Sequence, residues 1–429
     1  MAVHPAQSAF SRRGFLAGLG GLGAATFLGG CATGSDSSSS GGSTTLTLQS
    51  SQSDADPKAA LTQVVEGYSK TKVTLNTIAI ETFRAQLPTY LNSGNPPDVL
   101  TWYAGSVARD YASKGFLLDV SELWTGNGAC ATFSPALKEL STADGKQIFV
   151  PTNYYWWGVF YRKSAFAEWG VQPPTTWDQF IGVCKTIKSK GVYPLTMGTG
   201  STAWMASGWF DYLNLRINGA KFHRELLAGE HAFDGPEVKQ VMDHYRQLIE
   251  YIDPKGRSYS YQDAITPLVA KKAGMYLIGA FITSTVPQDS VDDIDFFRVP
   301  AINPSVPVAE EAPTDGYFAA AKTRNRQGTL DLLSYLASPE AQQSFIERAK
   351  SSNLPTSTEV DTSKFSPLVQ KGIKHLNDTA EITQFFNRDS SDELQTTADT
   401  ALTKFLDSPG DVNSILREWQ ASAKKVLGS

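Results

Sequence analysis

The sequence predicts an α/β protein, and three observations carry that expectation. Stretches with an apolar residue at every second position alternate with stretches that carry an apolar stripe at helical spacing. The alternation starts near Thr45 and begins afresh near Val159. With 429 residues, 41% hydrophobic and 19% charged, the chain has material for two or three units with real cores, which excludes wholesale disorder.

In chain order, Thr45-Leu46-Thr47-Leu48-Gln49 alternates polar and apolar and reads as a strand. Asp56-Pro57 opens a helix, since Pro is tolerated in a first turn whose N–H groups lack partners anyway. Leu61, Val64, Val65 and Tyr68 give that helix one apolar face. Residues 73–80 form a second strand, 83–91 a second helix stopped by the Asn/Gly/Pro run at 92–97, and 98–102 a third strand. Such alternation implies a largely parallel sheet. In the second set, Thr176 caps a helix with Gln179 as its capping-box partner, and Trp177, Phe180, Ile181, Cys184 and Ile187 form its stripe. Strands follow at 193–197, 273–278 and 294–299, and helices start near Pro236, at 330–336 and at 415–426. Residues 351–367 are Ser/Thr/Pro-rich and read as an irregular surface segment.

The first residues read as an address. Ser11-Arg12-Arg13-Gly14-Phe15-Leu16 resembles a twin-arginine export signal, and an apolar run too short and Gly-rich for a membrane span ends in Leu28-Gly29-Gly30-Cys31, which resembles a lipobox. Residues 1–30 are then a signal peptide, Cys31 the lipid-bearing residue, and 31–44 a Ser/Gly tether. The expected location is the outer face of the cell membrane. Within this segment Gly18, Gly20 and Gly23 match a dinucleotide fingerprint but follow no strand, so the match is discarded; a near match at Gly198, Gly200 and Ala203 lacks the later acidic residue.

Other classes are excluded more directly. The net charge of -5 argues against a nucleic-acid partner. Five scattered histidines and three cysteines offer no metal-binding motif, and no cofactor is expected. After loss of Cys31 to lipid, Cys130 and Cys184 could pair, although Cys184 on a helix's apolar face suits a buried free thiol better. No nucleophile elbow or phosphate-binding loop occurs.

Two aromatic groups stand out. In Pro151-Thr152-Asn153-Tyr154-Tyr155-Trp156-Trp157-Gly158-Val159-Phe160-Tyr161, consecutive aromatics alternate between two faces if the segment is extended, and one face can line a cleft while the other packs. Trp204, Trp209, Phe210 and Tyr212, with Asp211 among them, follow the Gly-rich turn at 198–201. A flat aromatic beside a carboxylate suits a sugar, whose C–H face is apolar and whose hydroxyls need in-plane partners. Trp204, which precedes the periodic stretch, is the better ligand candidate, and Trp209 reads as core. Carboxylates at Glu81, Asp211, Glu310, Glu311 and Asp315 keep a glycoside hydrolase open as the alternative.

Several short pieces, in order, resemble the family 1 extracellular solute-binding proteins of bacterial ABC importers, which include maltose-binding protein. They are Pro97-Asp98-Val99, the run Tyr111-Ala112-Ser113-Lys114-Gly115-Phe116-Leu117-Leu118-Asp119-Val120, Tyr161-Arg162-Lys163-Ser164-Ala165-Phe166, Pro173-Pro174-Thr175-Thr176-Trp177-Asp178, Lys188-Ser189-Lys190-Gly191-Val192-Tyr193-Pro194, Asn218-Gly219, Lys272-Ala273-Gly274-Met275, Gly279-Ala280-Phe281 and Asp315-Gly316-Tyr317. The sequence departs from the family at Arg162, where Asn is common, and at Phe281, where Trp is common. The resemblance implies a non-enzymatic, monomeric receptor with a two-lobed, periplasmic-binding-protein type II-like fold, crossover strands and a central ligand cleft. One lobe would take residues 45–150 and 294–345, the other 151–293 and 346–429. It also implies a carbohydrate ligand, such as a glucoside or small oligosaccharide, passed to an ABC permease after hinge closure. Mapped onto this chain, the cleft positions are Gln52, Glu81, Trp102, Tyr155, Trp156, Trp204, Asp211, Phe281, Asp315 and Tyr317.

Overall fold

The computed structural model describes residues 45–349 and 353–428. The signal segment 1–30, the lipid-anchor residue Cys31 and the tether 31–44 lie outside the described residues. No described helix is long and apolar enough to cross a membrane.

Two sheets organise the described chain. The first contains β1 (Thr45–Ser50), β2 (Lys72–Thr77), β3 (Val99–Tyr103), β6 (Val150–Tyr154), β12 (Thr314–Ala319) and β13 (Leu354–Pro355), in the order β13-β6-β12-β3-β1-β2. The second contains β7 (Trp157–Arg162), β8 (Tyr193–Thr196), β9 (Ala273–Gly279) and β10 (Ile294–Phe297), in the order β10-β7-β9-β8. A small hairpin, β4 (Thr142–Ala143) with β5 (Lys146–Gln147), and a parallel pair, β11 (Ala309–Glu311) with β14 (Glu381–Thr383), complete the strands.

The early strands behave as their pattern predicts. Leu46 and Leu48 of β1 are buried while Thr45 and Thr47 are less so, and β1 pairs in parallel with both β2 and β3. The expectation of a largely parallel sheet holds only for that half. β12, β6 and β13 add antiparallel, because they belong to chain segments that travel to and from the second sheet. The chain changes sheet at residues 155–156, again between 298 and 313, and again after 355. These points lie somewhat C-terminal to those drawn from the sequence. Ile294–Phe297 registers with Arg162 to Val159 of β7 and so belongs to the second sheet, and β6 belongs to the first.

Local signals explain several element ends. Thr176 and Gln179 form the expected reciprocal capping box of the helix Trp177–Ser189. The helix Pro236–Ile249 begins on its proline and buries Val238, Val241, Met242, Tyr245 and Leu248. Arg162 pairs with Asp293 at 2.7 Å and so ties the start of one helix to the approach to β10. Cys130 and Cys184 are buried free thiols. The segment read as irregular also contains β13, and the helices Gly219–Leu227, Pro367–Asn377 and Asp392–Asp407 were not foreseen.

Candidate functional site

The first crossover carries Tyr155 directly from β6 into β7. Its phenol oxygen accepts a 2.8 Å hydrogen bond from Nη2 of Arg388, in the short helix Phe386–Asp389. Arg388 Nη1 donates to Asp315 Oδ1 at 2.6 Å, at the start of β12, where Asp315 lies opposite Tyr103 of β3. The guanidinium carbon sits 4.5 Å from the ring centre of Tyr103 and 5.5 Å from that of Tyr155. One arginine therefore joins two strands of the first sheet to the crossover that leads into the second, through charge, hydrogen bonds and ring faces.

The backbone makes this approach possible. Gly105, just after β3, has φ +131°, and a Cβ there would lie 1.7 Å from the Arg388 carbonyl oxygen. Only glycine allows that conformation and that contact. Arg109 holds the same segment through Asp389 at 2.8 Å, and Arg84 reaches both the Tyr103 hydroxyl and Asp392.

Beside this polar hub stands an aromatic wall. Trp157 stacks on Phe385, with ring centres 4.7 Å apart. Trp204 meets Trp157 and Phe385 edge-on, and Tyr261 packs against Trp204 at 5.7 Å and against Phe281 at 5.6 Å. Phe281 in turn meets Tyr155 edge-on at 5.3 Å. Trp204, Tyr261 and Phe281 are only half-buried. The Gly-rich turn places two of them. Thr199 and Gly200 donate to the carbonyls of Gly256 and Tyr259, and a Cβ on Gly198 would fall 2.0 Å from the Ser260 carbonyl oxygen. The turn thus lies flush on the 256–260 loop, with Trp204 at the entry of the helix Met205–Ile217 next to Tyr261.

Electrostatics keep the hub ionic and the phenols neutral. Burial pushes the Tyr155 and Tyr261 phenols up, and Tyr261 also feels the carboxylates of Asp54 and Glu81, at the starts of the helices that follow β1 and β2. Arg388 is held protonated by Asp315, although burial lifts the Asp315 carboxyl somewhat despite that neighbour. Neutral phenols can donate and accept, the guanidinium only donates, and the half-buried rings offer flat apolar faces.

Four of the ten positions expected in the cleft meet here: Tyr155, Trp204, Phe281 and Asp315. Gln52 and Glu81 are at the periphery. Gln52 lies just beyond β1, half-buried, with a buried Oε1 that has no hydrogen-bond partner among the described residues, and Glu81 is exposed in the first turn of the helix Ile80–Asn92. The other four are interior. Trp102 is sandwiched between Phe83 and Tyr103. Trp156, 0% exposed, packs on Phe296 and over Gly372. Tyr317 is enclosed with Val64, Leu336 and Phe345. Asp211 is fully buried, and its Oδ2 accepts from the Phe386 N–H at 2.9 Å. Alternation explains the Trp156 placement, since Tyr155 and Trp157 share the wall side and Trp156 points away. The residues that sequence reasoning missed are Tyr103, Trp157, Tyr261, Phe385 and Arg388. Only Trp157 was signalled, by the alternation itself.

Comparison with known proteins agrees with this architecture. Residues 52–343, more than half of the chain, match the model for the bacterial extracellular solute-binding protein family. A probable sugar-binding periplasmic protein of Rhizobium meliloti is 25% identical over 67% of this chain and 68% of its own length. The alpha-glucosides-binding periplasmic protein AglE of the same organism is 24% identical over 75% of this chain and 73% of its own. The chain spans about two thirds of the length of the first curated relatives it matches. The solved bacterial solute receptor AcbH, described as having an exclusive substrate preference for β-D-galactopyranose, superposes with a TM-score of 0.84 at 29% identity, over 89% of this chain and 99% of that one. With its two sheets linked by crossovers and its family match over residues 52–343, this chain belongs to the bacterial extracellular solute-binding proteins.

Proposed function

We propose that the protein captures a sugar at the seam between its two sheets. The observation that carries this reading is the half-buried wall of Trp204, Tyr261 and Phe281 beside the Arg388–Asp315–Tyr155 hub. A pyranose can lay its C–H face on such rings and direct its hydroxyls to the carboxylate, guanidinium and phenols. The sugar-binding names of the relatives, and AcbH's galactopyranose preference, favour a pyranose, either free or as a glucoside or small oligosaccharide.

The two sheets serve as cores of two lobes in this reading. Sugar that touches both lobes favours the closed arrangement by its differential affinity, and a membrane permease of an ABC importer then receives it. The N-terminal pattern ending at Cys31 would hold the receptor by lipid at the outer membrane face after export. Calorimetry with galactose, maltose and raffinose, followed by analysis of the recovered sugar, tests the proposal. One sugar should bind and return intact. Failure of the whole panel to bind, or recovery of cleaved sugar, would contradict a sugar receptor.

A further inference from the structure

Deep in the interior, three side chains from three separate elements converge. Asp211 comes from the helix Met205–Ile217, His223 from the helix Gly219–Leu227, and Glu311 from the end of β11. All three are 0% exposed, and one potential ligand atom from each lies within 4.8 Å of the others. Asp211 Oδ1, both carboxylate oxygens of Glu311 and His223 Nε2 have no hydrogen-bond partner among the described residues. We propose that Asp211, His223 and Glu311 form a binding site for a divalent transition-metal cation.

The neighbouring glutamate shows what is missing. Glu310, equally buried, pairs with Arg216 at 2.5 Å and Arg298 at 2.8 Å, and His375 lies 3.5 Å away. No described lysine or arginine forms an ion pair with Glu311 or Asp211. Buried carboxylates need a proton or a cation. Burial drives both carboxyls upward, Asp211 to about 8 and Glu311 further helped by the neighbouring Asp211 and Glu310 carboxylates, and keeps His223 neutral. A proton shared by the two carboxyls would join one oxygen of each, leaving His223 Nε2 and the second Glu311 oxygen unmet. A cation reaches all three side chains at once.

The surroundings already orient the ligands. The Phe386 N–H occupies Asp211 Oδ2 and leaves Oδ1 free. His223 Nδ1 lies 3.1 Å from the Asn214 side-chain amide, which in turn contacts Asn218 at 2.8 Å. Exchanging the two amide orientations lets Asn214 accept from Nδ1–H, the usual outer partner of a metal-bound imidazole. One imidazole and two carboxylates suit Zn²⁺ or Mn²⁺ better than Ca²⁺, which takes oxygen ligands. Bonds of about 2.0–2.2 Å set neighbouring donor atoms about 3.4 Å apart, so the three side chains close in from separations of up to 4.8 Å on binding. The cation would be structural. It would brace β11, which leads to Asp315, and the segment at Phe386, which leads to Arg388.

The test uses the mature chain, stripped with chelator and titrated with ZnCl2, MnCl2 or CoCl2. One equivalent of one of these ions should bind and raise Tm by about 3 °C at a hundredfold excess over Kd. Bound Co²⁺ should give ligand-field absorption from a nitrogen–oxygen donor set. Glu311→Gln and His223→Gln should each weaken binding at least tenfold. Since either variant could fold poorly, the cobalt spectrum of the parent is an independent reading. A stripped parent that binds none of the three ions, with unchanged Tm, would overturn the proposal in favour of a shared proton. Undiminished binding in folded forms of both variants would place the metal elsewhere and overturn it equally.

Discussion

The seam cluster and the buried Asp211–His223–Glu311 cluster lie a few residues apart along the same two segments, yet their chemistry is opposite. At the seam the charged groups already satisfy each other, with Arg388 serving Asp315 and Tyr155, and what stays partly uncovered is flat apolar surface. In the interior cluster the side chains are fully enclosed, and the unmet groups are three carboxylate oxygens and one imidazole nitrogen. The contrast teaches how a dry core and a cleft differ as binding sites. A neutral, amphipathic solute fits exposed rings beside a settled polar hub, whereas unmet buried carboxylates call for positive charge.

Mutations can break this contrast, starting with the largest effect. Trp156→Ala should cost about 3–5 kcal/mol of stability in urea denaturation, since a fully buried indole leaves a cavity, while the folded fraction keeps its sugar affinity. A large affinity loss with normal stability would move Trp156 to the ligand side. Arg388→Ala should weaken sugar binding by about 2–3 kcal/mol, at the low end for a buried charge pair because Asp315 is partly exposed. Isothermal calorimetry reads the loss, and parental affinity would mean the hub is only a structural latch. Trp204→Ala should cost about 1–3 kcal/mol of binding, roughly 5- to 150-fold, with a smaller loss of thermal stability than Trp209→Ala, whose indole is buried against Phe180. Glu81→Gln should change affinity by less than about 0.5 kcal/mol, because the side chain is exposed at the rim. A tenfold change would make Glu81 a direct sugar contact.

The fold was legible wherever local chemistry decides it. The alternation at Thr45, the Thr176–Gln179 box and the proline at 236 each appear as structure. The antiparallel half of the first sheet was not legible, because those pairings join residues more than 150 positions apart, such as Tyr103 with Asp315. The site followed the same rule. The half-buried position of Trp204 was readable from its place before a periodic stretch, and alternation already set Tyr155 and Trp157 against Trp156. Arg388 gave no local sign, since its partners come from β3, β12 and the 155 crossover. Asp211 sits among aromatics in the sequence as a sugar acceptor would, yet its helix turns it inward to Phe386.

A crystal structure of the protein with its tightest-binding sugar tests the central claim most directly. The account predicts a pyranose face within about 4 Å of Trp204, Phe281 or Tyr261, with ring hydroxyls on Asp315, Arg388 or Tyr155. A sugar bound away from the seam, with Trp204 and the Arg388–Asp315 pair untouched, would contradict it.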